Sequence, residues 1–233
     1  MRRIINKIPG IRFLLSVVKA QRESRRLLRD RKTLQESGPD LLRLVHSRLH
    51  GKIPYFLDYG SLLGLVRENA FLKHDDDVDF GVMPGVRAAD LIRALDDSEL
   101  QYLGSYVYDG MVTEVGYTFR KMRVDFFLNS VDGEDFHADV YYDAPGVKYS
   151  RHETGCHRFT RPAVKGLKTV EFVGAHVDIP TNPEDLLAAH YGPNWRHPDP
   201  TWTQRDADGH YGCVLLPGVG RYLVPREEVI SLN

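Results

Sequence analysis

The feature that most constrains the fold is the acidic segment Asp75 to Met83, with the sequence DDDVDFGVM. In its second half the acidic residues Asp77 and Asp79 alternate with apolar residues, a period of two that is typical of a strand with one buried face. Side chains two positions apart on a strand point the same way, about 6.6 Å apart along the chain. The pattern therefore predicts two carboxylates that project together from a rigid strand whose other face joins the core.

A pair of carboxylates at this spacing indicates a divalent cation. Two like charges so close together are unfavourable unless a cation neutralises them, and carboxylate oxygens are the ligands that Mg²⁺ and Mn²⁺ prefer. The alternative is a solvated acidic turn, which would leave the alternation unexplained. A calcium loop of the EF-hand type does not fit, because Phe80 stands where that loop needs glycine and Val86 where it needs glutamate.

A third acidic residue, Asp125, lies inside the apolar run Arg123 to Phe127. A carboxylate buried in such a strand is costly without a partner. A metal ion shared with Asp77 and Asp79 would supply that partner, whereas an edge strand would let Asp125 face water. We expect Asp77, Asp79 and Asp125 to be the metal ligands.

A strand over Tyr55 to Gly60 is followed by a helix over Ser61 to Asn69. Glycine allows a close backbone approach, and the free N–H groups at a helix start can hold a phosphate. Arg67 on this helix could reach a phosphate or the aspartates. The Gly60-Ser61 turn is a weak signal by itself. Its order along the chain is informative: strand, turn, helix, acidic strand and a later strand with a third aspartate form the layout of the nucleotidyltransferase superfamily.

The run from Phe56 to Val82, FLDYGSLLGLVRENAFLKHDDDVDFGV, resembles the LicD/fukutin family. The family signature is a Gly-Thr/Ser-Leu-Leu-Gly-x-x-Arg stretch followed by an acidic cluster. The segments Met122 to Phe127 and Asp178 to Trp195 are similar to later family motifs, so the resemblance covers about residues 40 to 200. One departure is Lys73-His74, where family members often have Pro-Trp, and this change could alter the choice of donor.

The resemblance implies an α+β fold, a nucleotidyltransferase-like mixed β-sheet with helices packed on it. It implies that Asp77, Asp79 and Asp125 are catalytic metal ligands, and that Gly60, Ser61 and Arg67 lie on the phosphate side of the substrate. The implied reaction moves a phosphocholine, ribitol-phosphate or glycerol-phosphate group from a CDP-linked donor to a glycan or its lipid-linked precursor. Two alternatives stay open: nucleotidyl transfer from a nucleoside triphosphate with release of pyrophosphate, and a non-catalytic scaffold for glycan assembly.

The charge of the chain is divided unevenly. Residues 1–32 carry eleven Lys and Arg and two acids, a net charge of +9, so the rest carries −10. We predict a basic amphipathic helical arm over residues 1–36, and a catalytic domain over residues 37–233 that begins with a helix at Ser37. The arm could contact an anionic membrane at its cytoplasmic face or pack as a solvated helix on the domain or a partner. The acidic domain offers no basic groove, which argues against nucleic acid.

The remaining segments give shorter predictions. Two cysteines are too few for a disulfide framework and favour a reducing, cytoplasmic location. Residues 130–168 are predicted to be irregular, with a mobile basic loop that could contact the acceptor or the nucleotide; its His152, Cys156 and His157 match no strong zinc pattern. The other predicted elements are a helix over Val86 to Leu95, strands over Gln101 to Tyr108, Thr113 to Phe119 and Arg123 to Leu128, a hairpin about Gly174, and a helix from Asn182 to Gly192.

Overall fold

The computed structural model describes residues 9–144, 146–199, 201–202 and 213–232, with side chains from Ser24 onward in the first helix. Five helices and eleven strands occur in these residues. The helices are α1 (Pro9–Leu49), α2 (Tyr59–Glu68), α3 (Ala88–Leu95), α4 (Pro183–Tyr191) and α5 (Arg226–Ser231). The strands are β1 (Tyr55–Leu57), β2 (Asp77–Val82), β3 (Gln101–Tyr108), β4 (Met111–Phe119), β5 (Met122–Leu128), β6 (Ser130–Asp132), β7 (Asp135–Tyr142), β8 (Glu153–Pro162), β9 (Leu167–Phe172), β10 (Ala175–Pro180) and β11 (Val214–Val224).

A nine-stranded sheet dominates the fold, in the order β1-β2-β5-β4-β3-β11-β8-β7-β6. Strands β2 and β5 run parallel, and the other neighbours in this sheet run antiparallel. The predicted α+β fold with a mixed sheet and helices packed on it is confirmed. The parallel pair matters for function, because it places Asp79 directly opposite Asp125.

The sheet curls so that strands far apart in its order come close in space. Strand β7 packs back against β4 and β5. Arg161 on β8 reaches Asp58, which directly follows β1, and forms a buried ion pair with it. This curl makes the turn after β1 part of the interior of the molecule.

The main core lies between the sheet and helices α1 and α3. Val78, Phe80 and Val82 on β2 are fully buried, as their alternation with the aspartates predicts. Phe80 stacks on Phe126 of β5 with ring centroids 5.0 Å apart. The inner faces of β2 and β5 are therefore held by close apolar packing, which makes their outer faces a rigid platform.

The first helix differs from its prediction. We expected a new helix to begin at Ser37 because a proline follows at position 39, yet α1 continues through Pro39 to Leu49. A proline inside a helix costs about 3 kcal/mol, since it removes one hydrogen bond and crowds the preceding turn. Burial of each leucine side chain stabilises the fold by about 1.5–3 kcal/mol. Leu34 and Leu41 are both fully buried, one on each side of the proline.

Gly38 gives a further reason for the continuous helix. A Cβ atom built on Gly38 would lie 2.4 Å from the ring of Phe71, so the aromatic ring packs against bare backbone at this point. The long-range contact outweighs the local start signals. Residues 1–8 and the side chains of residues 9–23 lie outside the described residues, so membrane contact by residues 1–32 stays a prediction. Among the residues that the structure describes, no helix is long and apolar enough to cross a membrane.

The prediction of irregular structure over residues 130–168 is wrong. Strands β6, β7 and β8 occupy most of this region and pair antiparallel. Cys156 and Arg161 on β8 are buried, so they do not belong to an exposed mobile loop. The region lacks clean alternation because the curl of the sheet covers both faces of β7 and β8, and both kinds of position are buried.

Other local predictions are confirmed. Strands β9 and β10 form a hairpin whose two turn residues, Val173 and Gly174, have φ values of 45° and 75°. Two positive φ values in a two-residue loop match the turn that suits the twist of a hairpin. Helix α4 spans Pro183–Tyr191 and Gly192 caps it. Helix α2 begins at Tyr59, two residues before the predicted start.

Candidate active site

Three carboxylates converge on the outer face of the parallel pair β2 and β5. One oxygen from each of Asp77, Asp79 and Asp125 lies within 4.8 Å of the other two. Asp77 and Asp79 project together because they are two positions apart on β2, and Asp125 joins them because its strand is the parallel neighbour in register. The structure thus brings together the three residues that the sequence singled out.

Asp125 is buried, and only one of its two carboxylate oxygens has a hydrogen-bond partner among the described residues. Arg123 donates from Nε to Oδ2 at 2.5 Å, whereas Oδ1 has no hydrogen-bond partner among the described residues. Burial raises the pKa of Asp125 to about 6, with Arg123 lowering it and Asp77 raising it. A buried carboxylate oxygen without a partner, next to two further carboxylates, fits a divalent cation.

A fourth acid, Glu114 on β4, belongs to the same network and was not predicted. Arg123 donates from a terminal nitrogen to Glu114 Oε1 at 2.8 Å, so this one guanidinium bridges Glu114 and Asp125. Burial, and then the charge of Asp125, raise the pKa of Glu114 to about 8. The sequence did carry a signal, because Glu114 is a lone acid in the apolar strand β4, as Asp125 is in β5.

The acidic run adds Asp75 to the site. Asp75, Asp76 and Asp77 form a second group whose ligand atoms lie within 4.8 Å of one another. Burial and the charge of Asp77 hold the pKa of Asp75 well above its usual range. Burial, followed by Asp77 and Asp125, does the same to the pKa of Asp79. So much uncompensated negative charge is relieved when a cation binds.

Gly60 lies where the start of α2 meets the acidic run. A Cβ atom at Gly60 would lie 2.7 Å from Asp75 Oδ2, so only glycine allows this approach. The preceding residue, Tyr59, has a φ of 41°, and its N–H donates to Asp58 Oδ1 at 2.9 Å. A left-handed backbone conformation at a tyrosine is uncommon, and the examples that do occur are concentrated at functional sites.

Ser61 is buried in the structure, with 1% of its surface exposed. Its hydroxyl accepts a hydrogen bond from the backbone N–H of Asp79 at 3.2 Å. This contact ties the first turn of α2 to the acidic strand. Ser61 therefore positions Asp79 from beneath, and its side chain is not among the residues of the adjacent cleft.

Arg161 fixes the other side of the turn after β1. It donates two hydrogen bonds to the carboxylate of Asp58, at 2.9 and 2.8 Å, and one to Asn129 Oδ1 at 2.6 Å. Arg161 was predicted to lie in an exposed basic loop; it is buried instead, because the curl of the sheet carries β8 over β1. Asp58, Asn129 and Arg161 can be recognised as a group only from the folded chain.

A cleft of about 1440 Å³ opens beside Gly60 and Asp75; Asp77, Asp79 and Asp125 are not among its lining residues. Its lining includes two cations, Arg67 and Lys73, and three aromatic side chains, Tyr191, Trp195 and Trp202. The guanidinium of Arg67 pairs with the neighbouring Glu68 at 2.9 and 3.2 Å, and the Arg67 side chain is 16% exposed. The lining residues are Gly60, Leu63, Arg67, Glu68, Leu72, Lys73, His74, Asp75, Tyr191, Asn194, Trp195, His197, Pro198, Asp199 and Trp202.

An aromatic cluster backs this cleft. His190 packs edge-on against Tyr59 at 4.8 Å and against Tyr191 at 4.7 Å between ring centroids. Trp202 lies 4.8 Å from Tyr191. Burial, and then the charge of Arg161, lower the pKa of His190 to about 4, so this ring is neutral at pH 7.

Two further cations of the predicted basic loop form ion pairs. Arg158 binds Asp139 at 2.7 and 2.6 Å, and Lys165 binds Asp185 at 3.1 Å. The groups of described residues that could hold a metal do not include His152, Cys156 and His157. Neither cysteine forms a disulfide.

Comparison with known proteins adds independent information. The sequence model of a family described as LicD/FKTN/FKRP, nucleotidyltransferase domain, matches residues 52–182. The ribitol-5-phosphate transferase FKTN of Homo sapiens is 23% identical over 210 residues, which cover 85% of this chain and 42% of that protein. The protein of the same name from Mus musculus is 23% identical over 209 residues, covering 86% of this chain and 43% of its own length. The chain therefore spans less than half the length of these curated relatives.

Proposed function

Since this chain belongs to the LicD/FKTN/FKRP family, we propose that it is a phosphotransferase that moves a phosphoalcohol from a CDP-linked donor to a hydroxyl of a glycan or its lipid-linked precursor. Ribitol phosphate is the favoured group, because the curated relatives are named ribitol-5-phosphate transferases. The observation that carries the proposal is the convergence of Asp77, Asp79 and Asp125, next to Asp75, which lines a cleft that also contains cationic and aromatic side chains. The strand arrangement around them supports a nucleotidyltransferase-like sheet.

The residues present fit a divalent metal of the magnesium type. Asp77, Asp79 and Asp125 would hold it, and the unpartnered Oδ1 of Asp125 supports this assignment. All three ligands are carboxylates, which suit Mg²⁺ and Mn²⁺ better than softer metals. When bound, such a cation withdraws charge from the reacting phosphate and stabilises the leaving nucleotide.

The protein residues supply orientation and a proton acceptor. Arg123 holds Asp125 through Oδ2, and a cation would supply the partner that Oδ1 lacks among the described residues. We assign to Asp125 the removal of the proton from the attacking hydroxyl, a role that needs a carboxylate within hydrogen-bond reach of the acceptor. Ser61 fixes the backbone of Asp79, so that the two ligands on β2 keep their spacing.

The cleft supports a defined orientation of the donor. The diphosphate would lie near Gly60, which lines the cleft, with Arg67 and Lys73 offering positive charge. The nucleoside would lie against Tyr191 and Trp202, since base stacking on aromatic side chains contributes about 1–3 kcal/mol. The acceptor hydroxyl would attack the phosphate distal to the nucleoside, and CMP would be the product released.

Nucleotidyl transfer remains the second candidate, because the matching family model carries the words nucleotidyltransferase domain. The same three carboxylates would serve attack on the α-phosphate of a nucleoside triphosphate. The two reactions differ in their products, which are CMP in one and pyrophosphate in the other. A scaffold without activity would not need three converging carboxylates, whose mutual repulsion opposes folding.

The test is a product assay. Purified protein is incubated with Mn²⁺ or Mg²⁺, a panel of CDP-alcohols or nucleoside triphosphates, and a glycan acceptor, and CMP and pyrophosphate are quantified. We expect CMP from one CDP-alcohol, lost in Asp77→Asn and retained in Asp132→Asn, an exposed acid on β6 of the same sheet. Pyrophosphate from a triphosphate would replace this proposal with nucleotidyl transfer. CMP release that Asp77→Asn leaves unchanged would refute the role of the acidic site.

A further inference from the structure

A second group of possible metal ligands lies where the C-terminal end of α1 meets the β9–β10 hairpin. One ligand atom from each of His46, His50 and Asp178 lies within 4.8 Å of the other two. The ring of His176 is close by, with its centroid 6.1 Å from that of His46. None of these residues lines the cleft or belongs to the aspartate site.

The sequence explains why these side chains meet. His46 and His50 are four residues apart in the last turns of α1, so they share one face of the helix, and their rings stack at 4.3 Å. His176 and Asp178 alternate with Val177 on β10, so they point away from the core side, where Val177 is fully buried. His46 and His50 on the helix therefore face His176 and Asp178 on the strand.

Contacts from outside the proposed ligand set already orient two of the three side chains, His46 and Asp178. Tyr55 forms a hydrogen bond with His46 Nδ1 at 3.1 Å, which leaves Nε2 of that ring for a further partner. Asp178 accepts from Thr169 at 2.6 Å through Oδ1 and contacts His50 Nδ1 at 2.8 Å through Oδ2. Hydrogen bonds of this kind to the far side of a ligand are typical of metal sites.

We propose that His46, His50 and Asp178 bind a transition-metal dication of the Zn²⁺ type, with His176 positioned to add a fourth ligand. Two histidines at a spacing of four on a helix are a recurrent Zn²⁺ pair. Two imidazoles and a carboxylate favour Zn²⁺ or Co²⁺ over Mg²⁺, which prefers oxygen ligands. The cation would replace the proton between His50 and Asp178 and link the end of α1 to the hairpin.

The ligand sets of the two sites allow them to be tested separately. Chelator-treated protein is titrated with Co²⁺ in an excess of Mg²⁺, and the visible absorption bands of low-coordinate Co²⁺ are followed. Three variants are compared with the wild type: His50→Gln removes a proposed ligand, Asp79→Asn disables the acidic site, and His152→Gln makes the same substitution at a histidine outside both the cluster and the cleft. Circular dichroism of each metal-free variant establishes that it is folded.

We expect one equivalent of Co²⁺ with visible bands in the wild type, in Asp79→Asn and in His152→Gln, and displacement of this Co²⁺ by Zn²⁺. In His50→Gln the affinity should fall at least tenfold, and Zn²⁺ should no longer raise the melting temperature. If the folded His50→Gln variant binds Co²⁺ as the wild type does, the proposed ligands are wrong. If the wild type gives no Co²⁺ bands, or if Asp79→Asn abolishes them, the second site does not exist.

Discussion

The ion pair between Arg161 and Asp58 gives the sharpest test of how the site is held. The side chains are 5% and 3% exposed, so both charges are almost fully withdrawn from water. Replacing Arg161 by Met removes three hydrogen bonds and leaves Asp58 as a buried charge without its partner. Breaking one side of such a buried pair costs about 3–5 kcal/mol. For a chain of this size, that corresponds to a fall in melting temperature of about 6–20 °C.

The assay is urea unfolding followed by circular dichroism, in a chelator so that no metal contributes. The matched control is Arg87→Met, because Arg87 also forms a two-pronged pair, with Asp90, but in an exposed position. This control should change the free energy of unfolding far less than Arg161→Met does, because both of its side chains are exposed. The double variant Arg161→Met with Asp58→Asn should recover part of the lost free energy of unfolding, because it leaves no unpaired buried charge at this position. A loss below about 1 kcal/mol in Arg161→Met, or no recovery in the double variant, would refute this reasoning.

Three further predictions concern titrating groups. His190 should make the fold sensitive to acid, because the unfolded chain protonates it near pH 6.5 and the folded chain only near pH 4. About 1–3 kcal/mol of the free energy of unfolding is therefore lost as the pH falls through this window. In His190→Gln the free energy of unfolding should depend less on pH between pH 7 and pH 4. Affinity for Mn²⁺ should fall as the pH drops below about 6, because burial raises the pKa of Asp125 to about 6 and also raises the pKa of Asp79. Calorimetry in buffers of different ionisation enthalpy should detect the protons released when Mn²⁺ binds. Glu114→Gln should keep most of the turnover at pH 7, because burial raises the pKa of Glu114 to about 8; a large loss would mean that the charged form is required.

The acidic site could be predicted because its signal is local. Asp77 and Asp79 alternate with buried residues, and this period of two fixes both the strand and the side of the sheet. Asp125 needed a chemical argument, that a lone acid in an apolar strand requires a partner. The same argument applied to Glu114 would have completed the network, so this residue was missed although its signal was present.

The rest depends on packing between distant segments. Ser37 and Pro39 carry the signals of a helix start, and α1 continues because residues on both sides are buried and Gly38 packs against Phe71. In the sequence Arg161 is one cation in a basic stretch, and no nearby residue indicates that its partner is Asp58. The curl of the sheet buries Arg161, and it also removes the clean alternation of buried and exposed residues in β7 and β8. Such information lies in the tertiary contacts and not in any local pattern.

We propose that Asp77, Asp79 and Asp125 hold the cation on which catalysis depends. The test is to titrate Mn²⁺ into the protein with a CDP-alcohol present, following free Mn²⁺ by electron paramagnetic resonance and CMP release in the same samples. We expect one tight equivalent of Mn²⁺ and CMP release in the wild type and in Asp132→Asn, with both lost in Asp77→Asn and in Asp125→Asn. Wild-type binding of Mn²⁺ and wild-type release of CMP in those two variants would contradict it.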